Sequence, residues 1–550
     1  MRSSVHYARA HLVFRPATFH PGPPMTRRTA RVVLVLALAA APLPPLAAQT
    51  ARARDGARTR RAAESITAAD VRRDIGVIAD DSMLGRATPS PQLEEVAAWI
   101  ASRFAAAGLA PAGDSGGFLQ RYAIRRLRVD SSSFVMAMGH GAHGHWPLGR
   151  ESAVIFGRPP ESPLTAPVVL LAGIPADTVH PFGDVPMAGT IVVQVLDTAK
   201  INNGLVPLVT AGVAAGVKAW IFVSNRSARE FAALAQGALQ PQYEVGAAVP
   251  GPLDISIYEV RDSSAAGLLR AAGEDPAALL AAGAAPAVRP LPGVWATVDV
   301  RRVPDREASA PNVIGVLEGS DPALRSQYVF FTGHMDHIGT ASGDEGCRAT
   351  GADTVCNGAD DDGSGAAAVV ELAQAFARLD PRPRRSLVFM TVSGEERGLW
   401  GSGWYVAHPA VPLAATVADL NTDMIGRNPS DGVLAIGKEH SSLGPLADSI
   451  AARHPELRIR VLADTLRREN LFFRSDHYNF ARNGVPILFF TTGLHPDYHR
   501  ATDSVEKIDA DQEARIVRLA FYLGLAVADA PARPEWNPDS YRRIVAGAGH

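Results

Sequence analysis

The spacing of apolar residues predicts one well-bounded helix in the first quarter of the chain. Ser90 followed by Pro91 is typical of a helix N-cap and first helical position. The apolar residues that follow share one helix face: Leu93, Val96, Ile100 and Phe104. Gly108 then ends the helix. Residues 66–125 have mainly helical spacing, whereas 126–165 have no clear pattern.

The pattern changes between about 155 and 288, where short apolar runs surround a stretch of small residues. The runs Val168–Ala172, Ile191–Leu196 and Lys218–Val223 predict strands, and Leu205–Val217 predicts a helix. Residues 226–289 are rich in Ala, Gly and Pro and remain ambiguous. We interpret 155–288 as a separate small domain inserted into a larger one.

Strong alternation of strand and helix patterns begins at Pro311. Strands are predicted at Tyr328–Phe331, Leu387–Val392, Thr416–Leu420 and Ile487–Phe490. Helices are predicted at 365–379, 443–453 and 510–529. Compact strands alternating with helices are typical of an α/β layer structure with a mostly parallel sheet.

Composition excludes several classes of protein. The 550 residues carry a formal net charge of −2, which does not favour a nucleic acid partner. No apolar run reaches the roughly 20 residues of a membrane-spanning helix. With only two cysteines, the chain is neither a disulfide-rich scaffold nor a Cys₄ zinc module.

The N-terminal segment resembles a secretory signal that starts at Met25. Three arginines precede the apolar stretch Val32–Ala41, and prolines and the small residues Leu46–Ala48 follow it. We therefore expect residues 1–48 to comprise an upstream extension and a signal peptide. The mature protein would begin near Gln49, with a flexible linker at 49–65, and would be periplasmic or extracellular.

Polar residues crowd the ends of the predicted strands after Pro311. The clusters are Gly333–His337, Asn357–Gly365, Ser393–Glu396, Asn421–Asp423 and Tyr498–His499. Since ligands of open α/β sheets bind beyond the carboxyl ends of strands, these clusters are expected to converge. Imidazole and carboxylate groups are zinc ligands, and a carboxylate shared by two cations helps to hold them together. The pattern therefore predicts a hydrolytic two-metal site.

These clusters resemble the co-catalytic di-zinc aminopeptidases, a family that includes bacterial leucyl aminopeptidases, glutamate carboxypeptidase and the non-catalytic transferrin receptor. The matching stretches are GHMDH (333–337), NGADDDGSG (357–365), SGEERGLWGS (393–402), NTDMIG (421–426), RSDHYNFARNGVPILFF (474–490) and DYHRATDS (497–504). DDSMLGR (80–86) and AGLAPAGDSGGFLQRY (107–122) also resemble the N-terminal part of the family. The 155–288 region is similar to a protease-associated (PA) domain.

The resemblance implies a role for each matching residue. His334 and Asp423 would bind one zinc, Glu396 and His499 the other, and Asp361 would bridge the two Zn²⁺ ions. Asp336 would orient His334, Glu395 would be the general base, and Tyr498 would assist the tetrahedral intermediate. Arg474 has the position of a substrate-pocket arginine.

Several neighbouring residues are rivals for these roles. Asp361 is preferred to the aspartates on either side of it by aligning the Gly-Ser-Gly sequence that follows. His495 is a rival to His499, but it lacks the preceding tyrosine and the following Thr-Asp pair. His337 and His477 are interpreted as supporting residues rather than ligands.

The only two cysteines, Cys347 and Cys356, lie between the first two predicted ligand clusters. Two cysteines nine positions apart in an exported chain predict a local disulfide. The alternative is a thiolate metal ligand, although the implied ligand set is already complete.

The predicted fold is an α/β zinc-exopeptidase core with an inserted β-rich PA-like domain. The predicted divisions are 66–154 and 289–530 for the peptidase, 155–288 for the insertion and 531–550 for a tail. The resemblance implies a secreted aminopeptidase that acts on peptides; the sequence does not indicate its oligomeric state. The alternatives are a carboxypeptidase or dipeptidase, a single-zinc glutaminyl cyclase, and a non-catalytic binding protein.

Overall fold

The structure is a computed structural model, and it describes most of the chain after Asp55. The described residues are 56–157, 159–175, 177, 180–198, 205–245, 255–281, 286–343, 346–428 and 431–545. The predicted upstream extension and signal peptide, 1–48, lie outside them.

The larger of the two sheets in the described part of the chain is a mixed sheet of ten strands. Its strands are β1 (Ala110–Pro111), β2 (Leu119–Val129), β9 (Gln242–Val245), β12 (Arg302–Leu317), β13 (Tyr328–His334), β14 (Ser386–Val392), β15 (Thr416–Thr422), β16 (Gly432–Ile436), β17 (Arg460–Leu462) and β18 (Ile487–Thr491). They run in the order β17-β16-β18-β15-β13-β14-β12-β2-β9, and β1 pairs with β12. The neighbours β18, β15, β13 and β14 are parallel, as predicted. Strands β12 and β2 beside them are antiparallel.

Helices cover both faces of this sheet. The larger helices are Ala68–Ile78, Pro91–Ala106, Gly365–Ala377, Leu443–Arg453 and Ala510–Asp529, and the shorter ones are Trp400–Ala407, His477–Ala481 and Pro538–Ile544. Successive side chains of a strand point to opposite faces. Phe331 accordingly packs on Phe376 of one helix layer, whereas Phe330 packs on Phe480 of the other. The predicted α/β layers are therefore present.

The predicted helix after Ser90 is confirmed with its cap. The side chain of Ser90 accepts a hydrogen bond from the amide of Leu93, and Pro91 is the first helical residue. This cap satisfies an amide that would otherwise lack a partner inside the helix.

An eight-stranded second sheet combines strands inside the predicted insertion with strands from both sides of it. Its strands are β3 (Phe134–Gly139), β4 (Ala142–Pro147), β5 (Ser152–Phe156), β6 (Leu164–Ala172), β7 (Ile191–Leu196), β8 (Ala219–Ser224), β10 (Ser256–Arg261) and β11 (Ala287–Asp299). Their order is β4-β3-β11-β6-β7-β8-β10-β5. The helices of this part are Leu205–Ala214, Ala228–Gly237, Asp262–Ala271 and Pro276–Leu280. The resemblance of 155–288 to a PA domain stays a prediction.

Two expectations for the N-terminal part are corrected. Residues 56–64, placed in a flexible linker, are helical, and Ala62 and Ala63 are buried in the main core. Small apolar residues at adjacent positions can pack closely even where the surrounding sequence is rich in arginine. Residues 119–125, placed in a helical region, belong to strand β2, because their alternating buried side chains face the sheet core.

No helix among the described residues is long and apolar enough to cross a membrane.

Candidate active site

The ends of four parallel strands bring the predicted ligands together. His334 is the last residue of β13, Asp423 directly follows β15, and Glu395 follows β14 by three positions. The loop that carries Tyr498 and His499 follows β18. Because β18, β15, β13 and β14 are adjacent and parallel, their carboxyl ends lie at one edge of the sheet.

The carboxylate of Asp361 lies between two imidazoles. Its Oδ1 is 3.3 Å from Nε2 of His334, and its Oδ2 is 3.3 Å from Nε2 of His499. Asp423 Oδ1 lies 3.7 Å from the same nitrogen of His334. Glu396 Oε2 lies 3.2 Å from Nε2 of His499. Each oxygen of Asp361 thus faces its own imidazole and carboxylate, which is the arrangement expected of a bridging ligand.

His337 is a further imidazole at the same place. Its Nδ1 lies 2.7 Å from Oε1 of Glu396 and 3.8 Å from Oδ2 of Asp361. His334, Asp361 and Asp423 form one group whose ligand atoms are close enough to share a cation, and His337, Asp361 and Glu396 form another. His337 therefore holds one oxygen of Glu396 while His499 lies near the other.

The electrostatics of these groups fit the binding of cations. Burial raises the pKa of Asp423, and it raises the pKa of Glu395 well above its usual range, with the charge of Glu396 adding to it. Burial opposes ionisation of Asp361 too, but the imidazoles of His334 and His499 hold its pKa well below its usual range. Divalent cations would favour the charged forms of all these carboxylates.

Two close atoms at this place lack the geometry of a hydrogen bond. Among the described residues, neither Nε2 of His499 nor Oδ2 of Asp361 has a hydrogen-bond partner, although they are only 3.3 Å apart. Buried polar atoms normally have partners. A borderline cation such as Zn²⁺, which accepts imidazole nitrogen and carboxylate oxygen, satisfies both atoms. The donor set therefore fits zinc.

Asp336 contacts the backbone that carries Glu395. Its carboxylate accepts hydrogen bonds from the amide of Gly394 at 2.8 Å and from the amide of Glu395 at 3.3 Å. The Nδ1 of His334 is closer to the carbonyl oxygen of Asp336, at 3.2 Å, than to its carboxylate, at 3.7 Å. Asp336 is thus placed to orient His334 through its main chain and Glu395 through its side chain.

A small cavity of about 40 Å³ adjoins the candidate metal ligands. Asp361, Glu395 and Asp423 line one part of it, and Tyr498 and Arg474 line another. Apolar and small residues line the remainder: Met424, Leu471, Phe489, Thr491, Gly493 and Leu494. Nη2 of Arg474 donates a 3.2 Å hydrogen bond to the hydroxyl of Tyr498. The ring of Tyr498 stacks on His499, so the stacking and the hydrogen bond together fix the position of the hydroxyl.

The aspartates on either side of Asp361 have other partners. Asp362 is fully buried, and its carboxylate accepts hydrogen bonds from the amides of His334, Gly365 and Met424. Asp360 accepts one from the amide of Gly426. These two carboxylates join the loops that carry the ligands, which leaves Asp361 as the aspartate of the triplet that faces the imidazoles of His334 and His499.

The rival histidines lie elsewhere. His495 is buried with its Nε2 3.3 Å from Oδ2 of Asp360. Nε2 of His477 lies 3.0 Å from the carbonyl oxygen of Phe472, and burial lowers the pKa of His477 to about 3, so this ring is neutral.

Sequence reasoning missed several residues that support the site. Asp503 accepts hydrogen bonds from the amides of both Asp360 and Asp361. Thr88 donates a 2.8 Å hydrogen bond to the carboxylate of Asp336. Arg86, in the DDSMLGR stretch, reaches the loops on both sides of the site. The similarity of that stretch to the family was the only available signal for Arg86.

Cys347 and Cys356 form a disulfide in the loop between the first two ligand clusters. Cys356 is buried against Ile338 and Ala501, the latter two positions after His499. The disulfide loop therefore contacts the segment that carries His499.

Comparison with known proteins places these residues in a family. Residues 312–524 match the sequence profile described as Peptidase family M28. The match includes every predicted metal ligand and Glu395. The chain thus contains a peptidase family M28 domain.

Curated relatives match over parts of their length. A protein of Leptosphaeria maculans named "Probable zinc metalloprotease" is 26% identical over 262 residues, which are 40% of this chain and 58% of that protein. Leupeptin-inactivating enzyme 1 of Streptomyces exfoliatus is 32% identical over 158 residues, 28% of this chain and 34% of that protein. The chain thus spans about a third to three fifths of the length of these relatives.

The solved structures that match this chain include an aminopeptidase from Aneurinibacillus sp. strain AM-1. It has a TM-score of 0.47 and 18% identity, over 87% of this chain and 98% of that one. BSAP, a zinc aminopeptidase from Bacillus subtilis, has a TM-score of 0.43 and 16% identity, over 83% of this chain and 94% of that one.

Proposed function

We propose that the protein is an exported zinc-dependent aminopeptidase that holds two Zn²⁺ ions per chain. The observation that carries this proposal is the carboxylate of Asp361, whose two oxygens each lie 3.3 Å from a different imidazole. His334 and Asp423 would hold one ion, and Glu396 and His499 the other. When bound, zinc would supply the Lewis acidity that makes water a nucleophile near neutral pH.

The side chains around the cavity have separate tasks in hydrolysis. Glu395 accepts the proton of the attacking water and returns it to the amine that leaves. The carboxylate of Asp336 fixes the backbone of Glu395 by accepting a hydrogen bond from the amide of Glu395. The hydroxyl of Tyr498, held by Arg474, donates to the oxygen on which negative charge develops.

The shape and charge of the cavity support action at a chain end. The cavity is small, about 40 Å³, which favours the end of a chain over a continuous peptide. Of the three carboxylates that line it, only Glu395 is not a proposed zinc ligand, and a carboxylate favours the ammonium group of a peptide N-terminus. Arg474 supports a second candidate, a carboxypeptidase or dipeptidase, since a guanidinium binds a terminal carboxylate well. A fluorogenic panel of aminoacyl and C-terminal substrates, with and without chelator, distinguishes the two.

A pair of substitutions tests the proposed roles of the adjacent glutamates. Glu395→Gln keeps the shape of the side chain but cannot accept a proton, so kcat should fall by about 10²–10⁴-fold. Its zinc content should remain at two ions. Glu396→Gln should instead lose zinc and regain part of its activity when zinc is added in excess.

Glu371→Gln is the matched control, because Glu371 is also buried but lies on the helix Gly365–Ala377, outside the cavity lining. It should keep both zinc ions and normal turnover. Normal turnover in Glu395→Gln, or loss of zinc from that variant alone, would refute the assignment.

A further inference from the structure

Arg86 is a fully buried arginine whose guanidinium binds only main-chain carbonyl groups. Its Nε donates to the carbonyl of Met335 at 2.8 Å, and its Nη2 donates to the carbonyls of Gly358 at 2.7 Å and Asp361 at 3.3 Å. Nη1 donates to the carbonyl of Asn357. Within the described part of the chain, no carboxylate forms an ion pair with this side chain.

These carbonyls belong to two separate loops. Met335 lies between His334 and Asp336 at the end of β13, whereas Gly358 and Asp361 lie in the loop before the helix Gly365–Ala377. Arg86 itself comes from a segment 249 residues before Met335. One side chain thus spans the loop that carries the first imidazole and the loop that carries the bridging carboxylate.

The backbone around Arg86 is bound to the same region. The amide of Gly339 donates to the carbonyl of Gly85, and the amide of His337 donates to that of Arg86. Arg86 has a backbone φ of +39°, which residues other than glycine rarely adopt. Strained residues of this kind persist only where their surroundings hold them, and they cluster at functional sites.

The chemistry of arginine suits this task. A guanidinium is planar and presents five donors in a rigid fork, so the carbonyls it binds are held at fixed mutual distances. A lysine ammonium is a compact group on a flexible stem and cannot span both loops in the same way. The buried positive charge also lies near the carboxylates of Asp336, Asp361 and Asp362.

We propose that Arg86 is a positioning residue of the metal centre, which sets the spacing of His334 and Asp361 by holding the carbonyls of their two loops. The proposal rests on the metal centre proposed above. It predicts that zinc affinity depends on Arg86, although Arg86 is not a ligand.

The test compares Arg86→Lys with Arg385→Lys. Arg385 is also buried, and its Nη1 donates to the carbonyls of Val527 and Ala530, but it precedes β14 at the end of the strand opposite the site. Both substitutions remove a buried guanidinium from carbonyl partners, so both should lower stability. The matched pair therefore separates loss of stability from loss of metal binding.

Zinc affinity is measured on each apoprotein by competition with a chromogenic chelator, and thermal unfolding is measured in parallel. Arg86→Lys should bind zinc about 10–100-fold more weakly than the wild type, the usual loss when a partner of a ligand is removed. Arg385→Lys should bind within about twofold of the wild type. A folded Arg86→Lys protein with unchanged zinc affinity overturns the proposal.

An Arg86→Lys apoprotein that does not fold is tested again at saturating zinc by circular dichroism. If zinc restores folding, the result supports the proposal, because bound cations then join the two loops. Failure to fold even with zinc, while Arg385→Lys folds, assigns Arg86 a general structural role and overturns it. A wild type that binds no zinc would refute the metal centre itself, whereas an unaffected Arg86→Lys refutes only the role of Arg86.

Discussion

The buried carboxyl group of Glu371 is expected to make the free energy of unfolding depend measurably on pH. It lies on the helix Gly365–Ala377, is 3% exposed and faces Asp74, which is fully buried. Burial, followed by the negative charge of Asp74, raises the pKa of Glu371 from 4.5 to about 8. Below about pH 4.5 the group is protonated in both states and does not lower the stability of the folded protein. Above that pH its ionisation in the unfolded chain lowers the stability, and the loss is complete once the pH has risen through about 8.

The magnitude follows from the two pKa values. With 4.5 in the unfolded chain and about 8 in the folded one, ionisation costs about 2 kcal/mol of stability at pH 6 and about 5 kcal/mol at pH 9. Glu371→Gln keeps the shape and the hydrogen-bond donor of the protonated side chain but carries no charge. Between pH 6 and pH 9, the free energy of unfolding of the variant should therefore rise relative to that of the wild type by about 3 kcal/mol.

Urea unfolding of both proteins at pH 6 and pH 9 measures this gain, and effects of other titrating groups cancel in the comparison. In an Asp74→Asn background the gain should shrink, because the charge of Asp74 is the second cause of the raised pKa. It should not vanish, because burial is the largest cause. The reasoning would be refuted if the stability of the variant relative to the wild type rose by less than about 0.5 kcal/mol between pH 6 and pH 9, or if it fell.

Three further predictions concern the metal, the disulfide and the backbone. Zinc at 100 times its dissociation constant should stabilise the protein by about 2.7 kcal/mol per site, seen as a higher unfolding temperature that a chelator reverses. Alkylation and intact-mass measurement of the native protein should find no free thiol, and Cys347→Ser with Cys356→Ser should cost at most about 2–3 kcal/mol; two alkylated thiols would contradict this. Gly76→Ala, in open space on a helix, should stabilise by about 0.5–1 kcal/mol. Gly85→Ala should destabilise by at least about 1 kcal/mol, because Gly85 has a φ of +67° and a Cβ would overlap two carbonyl oxygens; equal unfolding midpoints for the two variants would show that at least one of these two predictions is wrong.

Local patterns were sufficient for the elements around the site. The helix predicted at 443–453 is Leu443–Arg453, and the strand predicted at Ile487–Phe490 is Ile487–Thr491. A strand buried on both faces is a short apolar run, and an amphipathic helix repeats its apolar residues every three or four positions, so both are visible in the sequence. The positions of His334 and Asp423 at strand ends followed directly from these runs.

Weaker patterns failed where packing decided the structure. Residues 119–125 have arginines between apolar residues, and only their pairing with β12 makes them a strand. Residues 56–64 are helical in an arginine-rich stretch, because Ala62 and Ala63 pack into the main core. Secondary structure of this kind depends on tertiary contacts rather than on intrinsic propensity.

The sequence by itself determined the α/β layers, the parallel strands at the centre of the sheet and the residue types that gather at their carboxyl ends. Only the tertiary structure decided which side chains meet there. His337 reaches Glu396 across 59 positions and Arg86 reaches Met335 across 249, and such contacts leave no periodic trace in the chain. Their physical reason is that buried polar groups must find partners wherever the fold supplies them, however distant these are in sequence.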